Sequence, residues 1–209
     1  MSDITITNTR SEHLDALAEH QKICFPTLAP YEWMTAEHFA SHLWLFPEGQ
    51  HVALDGERLV GQSSTFRVRT DQVFAPHTFH GIIAGGYFTN HDPQGEWLYG
   101  ADMSVHPDYR GRRIASLLYS ARKELIRRLN LRGMVAGGML PGYNRHRDAM
   151  SVEEYVERVS RGDLADPTLT PQLRNGFVVQ SILRDYIDDS RITPHGTLIV
   201  WENRDWNGE

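Results

Sequence analysis

Six consecutive residues, Arg110-Gly111-Arg112-Arg113-Ile114-Ala115, carry the clearest chemical signature of the 209-residue chain. A helix that starts here leaves its first backbone N–H groups without intrahelical acceptors, with the positive end of the helix dipole behind them. Such a start is a ready anion site. Gly111 permits close approach of a ligand, and Ala115 is too small to block it. Arg110, Arg112 and Arg113 add fixed charge in a form that suits phosphate. Three cations at a helix N-terminus oppose the dipole by about 0.3–1 kcal/mol each, so their presence calls for an anion. A merely solvated basic first turn is the competing reading.

The elements around the turn follow from pattern. Trp97 to Val105 reads as a strand that ends at His106-Pro107-Asp108. A helix from about Arg112 to Leu129 shows Ile114, Leu117, Leu118, Ala121, Leu125 and Leu129 on one face. Gly133 to Met139 is the next strand. Upstream, Ile4 to Thr7 is a first strand, and Ser11 caps a helix that ends near Cys24 because Pro26 cannot continue it. Phe25 to Trp33 is a loop. Thr35 opens a second helix with Phe39, Leu43 and Phe46 on its apolar face. His51 to Leu54 and Leu59 to Val68 are strands joined through Asp55-Gly56. Thr70 to Glu96 reads as a long hairpin or insertion with a short strand around Gly81 to Phe88. Ser151 caps a later helix, with Glu154 completing a capping box. Pro167 to Leu173 is a short helical or turn segment halted by Asn175-Gly176. Phe177 to Tyr186 and Gly196 to Trp201 are the last strands, and a polar tail follows Glu202. No repeat or linker interrupts this order, so one mixed α/β domain over residues 1–209 is expected, with elaborations at about 70–96 and 140–175.

Composition narrows the function classes. The formal net charge is −6, against general nucleic-acid binding. Between Arg110 and Arg132, however, eight Arg or Lys face only Glu124, which suggests a small anionic ligand. Cys24 is the single cysteine and sits between Ile23 and Phe25. A disulfide framework is excluded, a buried structural thiol is expected, and a cytoplasmic location fits best. The N-terminus lacks a signal-peptide pattern, and no apolar run approaches a membrane span, so no membrane association is expected. His77, His80, His91 and Asp92 fall at unspecific spacing in loop sequence, and no metal is expected.

The stretch VHPDYRGRRIASLL resembles the pyrophosphate-loop motif of the GNAT acyltransferases: Arg or Gln, two residues, Gly, one residue, then Gly or Ala. Arg110 and Ala115 fill the first and last positions, and Arg113 stands where the first Gly is usual. The element order is also similar to the GNAT fold, and Asn175-Gly176-Phe177 looks like the Gly-Phe that starts its sixth strand. The stretch MLPGYNRHRDAMSVEEYVERVSRGDLADPTLTPQLRNGF looks like a subgroup often fused to a carbon–nitrogen hydrolase (nitrilase-like) domain. The chain ends before any such domain, so no amidase activity is expected.

The resemblance implies a mixed, mainly antiparallel sheet of six to seven strands, splayed between strands four and five and flanked by helices. It implies acyl transfer from acetyl-CoA to an amine of a small molecule or peptide. Acetyl-CoA contacts are then expected at Met103, Ser104 and Val105, and along Arg110, Gly111, Arg112, Arg113, Ile114, Ala115 and Ser116. A backbone N–H at Val105 or a neighbour would polarise the thioester carbonyl. A Lys-like amine has a pKa of about 10.4 and must lose a proton before attack. Asp102, near the splay, and Glu96, at the start of the strand, are the candidate bases. Asp102 could equally order the following turn, and Glu96 could be a strand-end charge. The Tyr that this family often places four residues before the Gly of Gly-Phe is replaced by Gln172, which has no such proton to give. Tyr143 is the candidate substitute, or else a packing residue beside Pro141; water could protonate the thiolate instead. His106 reads as a turn residue. Tyr31, Trp33, Tyr87 and Trp97 could wall the acceptor side, though each taken alone reads as packing.

Two other classes stay open. A catalytically weak CoA-binding regulatory or interaction module fits Gln172, with a separately encoded hydrolase as partner. A nucleotide-binding protein is weaker, because neither G-x-x-x-x-G-K-[ST] nor a strand-linked G-x-G-x-x-G occurs. GNAT-like domains often pair, so a homodimer is also an expectation.

Overall fold

Alternating β-branched and apolar residues turn back at Asp55-Gly56, where Gly56 takes φ 60°, and this pairs β2 (His51–Asp55) with β3 (Arg58–Val68). The computed structural model describes residues 4–187 and 193–208. β1 (Ile4–Asn8) adds antiparallel to β2, and β4 (Trp97–Val105) adds antiparallel to β3. β5 (Gly133–Met139) runs parallel to β4, because the helix between them carries the chain back. β7 (Gly196–Glu202) and β6 (Val178–Leu183) complete one seven-stranded sheet in the order β1-β2-β3-β4-β5-β7-β6. The fold is the mixed, mostly antiparallel GNAT-like architecture expected.

The period-two alternation of the central strands separates two cores. Tyr99, Val135, Leu198 and Val200 face one side, where they meet Leu17 of α1 (Leu14–Cys24) and Phe39 of α2 (Ala36–Leu45). α3 (Thr70–Val73) and α4 (Phe79–Ile82) close that side. Leu98, Met134, Ala136 and Ile199 face the other side, against α5 (Ile114–Arg128), α6 (Val152–Arg161) and α7 (Leu169–Arg174). Ile114 and Leu118 extend that helix layer onto Ala53 and Val60.

Three local expectations are corrected. Gly81 to Phe88 is not a strand. Thr78 Oγ1 accepts from Gly81 N–H to cap α4, and Gly85 and Gly86 follow at φ 66° and 95°, outside strand geometry. Its apolar residues Ile82, Ile83 and Phe88 are buried from helical turns and a bend instead. Ser11 does not cap α1: it opens a 3-10 turn, Ser11–His13, and the α-helix begins at Leu14. Ser151 does cap α6, accepting from Glu154 N–H at 3.2 Å, but the Glu154 carboxylate pairs with Arg158 at 2.7 Å.

Candidate active site

β4 and β5 pair over three positions only: Trp97 with Gly133, Leu98 with Met134, and Tyr99 with Val135. Beyond these the strands part, and β5 continues on β7 through Met139. The β3–β4 register explains part of the divergence. Asp102 lies opposite Ser64 but Gly100 lies opposite Thr65, so Ala101 is an extra residue, a β-bulge. A bulge bends and twists its strand. From Gly100 onward β4 has a ladder partner on one side only, and the other backbone edge faces the opening. Two of its carbonyls are occupied: Asp102 O accepts from Arg122 Nη2, and Val105 O accepts from Arg110 Nε at 3.4 Å.

Arg122 enters this region from α5 with its side chain fully buried. Its Nε donates to Ser63 Oγ at 2.6 Å and its Nη2 to Ser64 O at 3.2 Å. Burial lowers its pKa to about 10, against the opposing influence of Tyr119 and Asp102. The cation therefore stays charged and ties the bulge carbonyl on β4 to the backbone of β3.

The basic turn forms a concave run of backbone N–H groups. Gly111 takes φ 78° and Arg113 takes φ 63°, a left-handed conformation directly ahead of α5. Arg113 thus adopts the backbone shape that Gly supplies at this motif position, at a cost of about 1–2 kcal/mol. Arg110 N–H bonds Pro107 O, and Leu117 N–H bonds Arg113 O. Between them, no protein acceptor is recorded among the described residues for the N–H groups of Gly111 to Ser116. Left-handed and right-handed residues in succession turn such groups toward a common centre, an anion nest. Arg112 lies over the Tyr109 ring at 4.6 Å, which holds it beside the turn. Arg110, Arg112 and Arg113 make no ion pair among the described residues. Free donors, free cations and an unpaired strand edge fit the pyrophosphate and pantetheine parts of an acyl-CoA.

The bulge also decides where Asp102 points. Ala101 packs with Tyr99 in the α1-side core, and the next residue, Asp102, turns to the same side. Its Oδ2 accepts from Gln21 of α1 and from Gln62 of β3. Burial raises the carboxyl pKa to about 6, with Gln21, the Arg122 charge and Gln62 opposing that rise. The residue as a whole is partly buried, and its carboxyl lies inward among these amides. Ser104 follows on this side. His20, at 2 % exposure, has Nε2 3.3 Å from Cys24 Sγ. Burial drives the His20 pKa down to about 4 and, with Asp102 nearby, the Cys24 thiol up to about 11. Both groups are neutral at pH 7, so this pair is no thiolate–imidazolium nucleophile.

The other anticipated residues do not gather here. Glu96 lies at the far end of β4, about 20 Å of strand from Asp102. Its Oε1 accepts from Thr70 Oγ1 at 2.5 Å, and that bond helps hold its pKa low. Tyr143 packs in the core on the α5 side, ring centroid 5.4 Å from Tyr155, and its hydroxyl donates to Met150 O at 3.1 Å. The Asp102 carboxyl is on the opposite face. His77 reaches the Tyr99 hydroxyl at 3.2 Å and His91 Nδ1 accepts from Arg67 N–H at 3.0 Å. No metal-binding cluster occurs among the described residues.

Gln172 is buried on α7, and its Oε1 has no hydrogen-bond partner. A Cβ added at Gly138, on the diverging part of β5, would lie 2.8 Å from that oxygen. The phenol beside it comes from another element: Tyr119 of α5 lies next to the Gln172 side chain. Tyr119 gave no sequence signal, since it falls outside the apolar face of Ile114, Leu117, Leu118, Ala121, Leu125 and Leu129. Gln21 and Gln62 gave no signal, because isolated glutamines have no periodic pattern.

The Acetyltransferase (GNAT) family model matches residues 14–142. The chain belongs to this family. The uncharacterized N-acetyltransferase YkwB of Bacillus subtilis is 32% identical over 96% of this chain and 89% of its own length. The probable hydrolase YhcX of the same organism is 39% identical over 97% of the chain, and the chain spans only 39% of it. Among solved structures, the GphF GNAT-like decarboxylase in complex with isobutyryl-CoA superimposes with a TM-score of 0.82. It is 25% identical, covering 95% of this chain and 98% of that one. The GNAT assignment accounts for the β4–β5 opening and the basic turn together.

Proposed function

We propose that this GNAT protein transfers an acetyl group from acetyl-CoA to an amine of a small molecule or peptide by direct attack on the thioester. The observation that carries the reading is Asp102 on diverging β4, its carboxyl held by Gln21 and Gln62, eight residues before the donor-rich turn at Arg110. The N–H groups from Gly111 to Ser116 and the three arginines would bind the pyrophosphate. The open edge of β4 around Met103 to Val105 would bind the pantetheine arm by added main-chain bonds. A β4 N–H, at Val105 or a neighbour, would polarise the thioester carbonyl.

Asp102 is the proposed base, acting directly or through one water. Raising its pKa from 3.8 to about 6 makes it roughly a hundredfold better proton acceptor. It still stays about nine-tenths ionised at pH 7. Glu96 and Tyr143 are given no step.

Thermal and chemical unfolding with acetyl-CoA tests binding; a gain near 2.7 kcal/mol is expected at a hundredfold excess over Kd. Thiol release with an amine panel tests transfer. No stabilisation at millimolar ligand sinks the whole reading. Stabilisation with no thiol release favours a CoA-binding module instead. A second reading is decarboxylation of a 2-carboxyacyl-CoA, favoured by the likeness to the GphF decarboxylase. It requires carbon dioxide release with the thioester intact and no amine present; malonyl-CoA is the probe.

A further inference from the structure

The Asp102 carboxyl is gripped from one side. Gln21 and Gln62 each donate an Nε2 hydrogen to the same oxygen, Oδ2. They come from α1 and β3, 81 and 40 residues away in the chain. The Gln62 amide cannot turn over freely. Ser64 Oγ donates to its Oε1 at 3.2 Å, and its Nε2 also reaches Ser104 Oγ at 3.4 Å. The acceptor end of Gln62 thus faces Ser64 and the donor end faces Asp102. Gln21 and Gln62 are 2 % and 1 % exposed, so neither amide has water as an easy alternative. Buried carboxamides of this kind need a reason, because each must be fully bonded to be tolerated.

We propose that Gln21 and Gln62 are positioning residues that bind Oδ2 of Asp102, keep the carboxyl ionised near neutral pH, and leave Oδ1 to take the proton of the incoming amine. This rests on the acyl-transfer reading and names how its base is set. Burial alone would push the carboxyl higher, and a base protonated at pH 7 accepts nothing. Two amide donors to the charged form oppose that push, together with the Met103 backbone N–H and the Arg122 charge of α5. Cys24 of α1 and Tyr186 after β6 are the other titratable groups that sense the carboxyl, with His20 next to Cys24 and His106 beyond His20. Both carboxamides bond to Oδ2, so the two carboxyl oxygens are made inequivalent.

The test uses Gln21→Met and Gln62→Met, which keep side-chain length and remove the donor. Two quantities are read: the acid limb of kcat/KM for acetyl transfer, and the carbon-13 titration of the Asp102 carboxyl in protein labelled at aspartate. Each variant is expected to move both midpoints upward by about one pH unit. Activity near pH 6 should then fall about fivefold and recover above pH 8. Ser64→Ala, which releases the Gln62 amide, should move both midpoints in the same direction by less, and serves if a methionine variant fails to fold. An unmoved carboxyl titration in the folded variants overturns the proposal. A moved titration with an unmoved rate profile overturns Asp102 as the base, while thiol release still reports separately on acyl transfer.

Discussion

The carbonyl of Asp102 accepts from the Arg122 guanidinium on the α5 side, while the carboxyl of the same residue bonds Gln21 on the α1 side. One residue is therefore held from both faces of the sheet at the bulge. Arg122→Leu removes the α5 half of that grip and leaves Ser63 Oγ, Ser64 O and Asp102 O short of a donor. A loss of about 2–4 kcal/mol is expected in urea unfolding. Losing the nearby cation should also raise the Asp102 pKa further. A stability within 0.5 kcal/mol of wild type would show that the bulge does not depend on Arg122.

Arg113 holds a left-handed backbone at the start of α5. Arg113→Gly relieves that strain, offset in part by the greater freedom of Gly in the unfolded chain. A net gain of about 1 kcal/mol in unfolding free energy is expected. Arg110→Ala should leave stability nearly unchanged and weaken acetyl-CoA binding by about 1–2 kcal/mol, with a reduced dependence on salt. Calorimetric titration at two ionic strengths separates the effects; an unchanged Kd for Arg110→Ala would count against the turn as the anion site.

Tyr119→Phe removes one hydroxyl beside Gln172 and keeps the ring against Phe177, 5.3 Å between centroids. If the Tyr119–Gln172 pair stands in for the usual tyrosine at the leaving thiolate, kcat should fall about tenfold with KM little changed. Burial raises the phenol pKa, so the hydroxyl would act as a hydrogen-bond donor rather than give up its proton. Steady-state kinetics that match wild type would leave thiolate protonation to water.

Acid should destabilise the fold between pH 6.5 and 4. Burial lowers the pKa of His20 to about 4, of His42 to about 3 and of His51 to about 4. Below pH 6.5 the unfolded chain binds protons at these sites that the folded chain does not, so stability falls as pH falls. Asp102 works the other way, because its folded pKa is raised and the native state holds the extra proton between about pH 4 and 6. Near pH 5 these four groups alone contribute three histidines less one carboxyl, about two protons, or roughly 2.7 kcal/mol per pH unit, and the burial-lowered His38, His77 and His91 add in the same direction. Urea midpoints measured from pH 4.5 to 6.5 check the slope. A flat profile would mean that the histidines are not buried as neutral rings.

Much of the fold was legible in the chain. Periodic apolar residues marked α5 within two residues of each end, and Asp55-Gly56 marked the β2–β3 turn. The basic turn was readable because its residues are consecutive and its donors belong to the backbone of one turn. Gly81 to Phe88 misled because a buried helical turn and a buried strand carry the same apolar content over so few residues.

The sequence by itself determined the element order, the family motif and the position of the basic turn, all of which depend on neighbours in the chain. Only the tertiary structure decided the bulge at Ala101, and with it which face Asp102 meets. A bulge is a one-residue matter of register against β3, and it reverses every later side chain on the strand. Tertiary structure likewise brought Gln21 and Gln62 to one carboxyl oxygen, set Tyr119 beside Gln172, and put the Tyr143 hydroxyl on the Met150 carbonyl. These polar partners lie far apart in sequence and follow no period, so only the packing of α1, β3, β4 and α5 on one another could pair them.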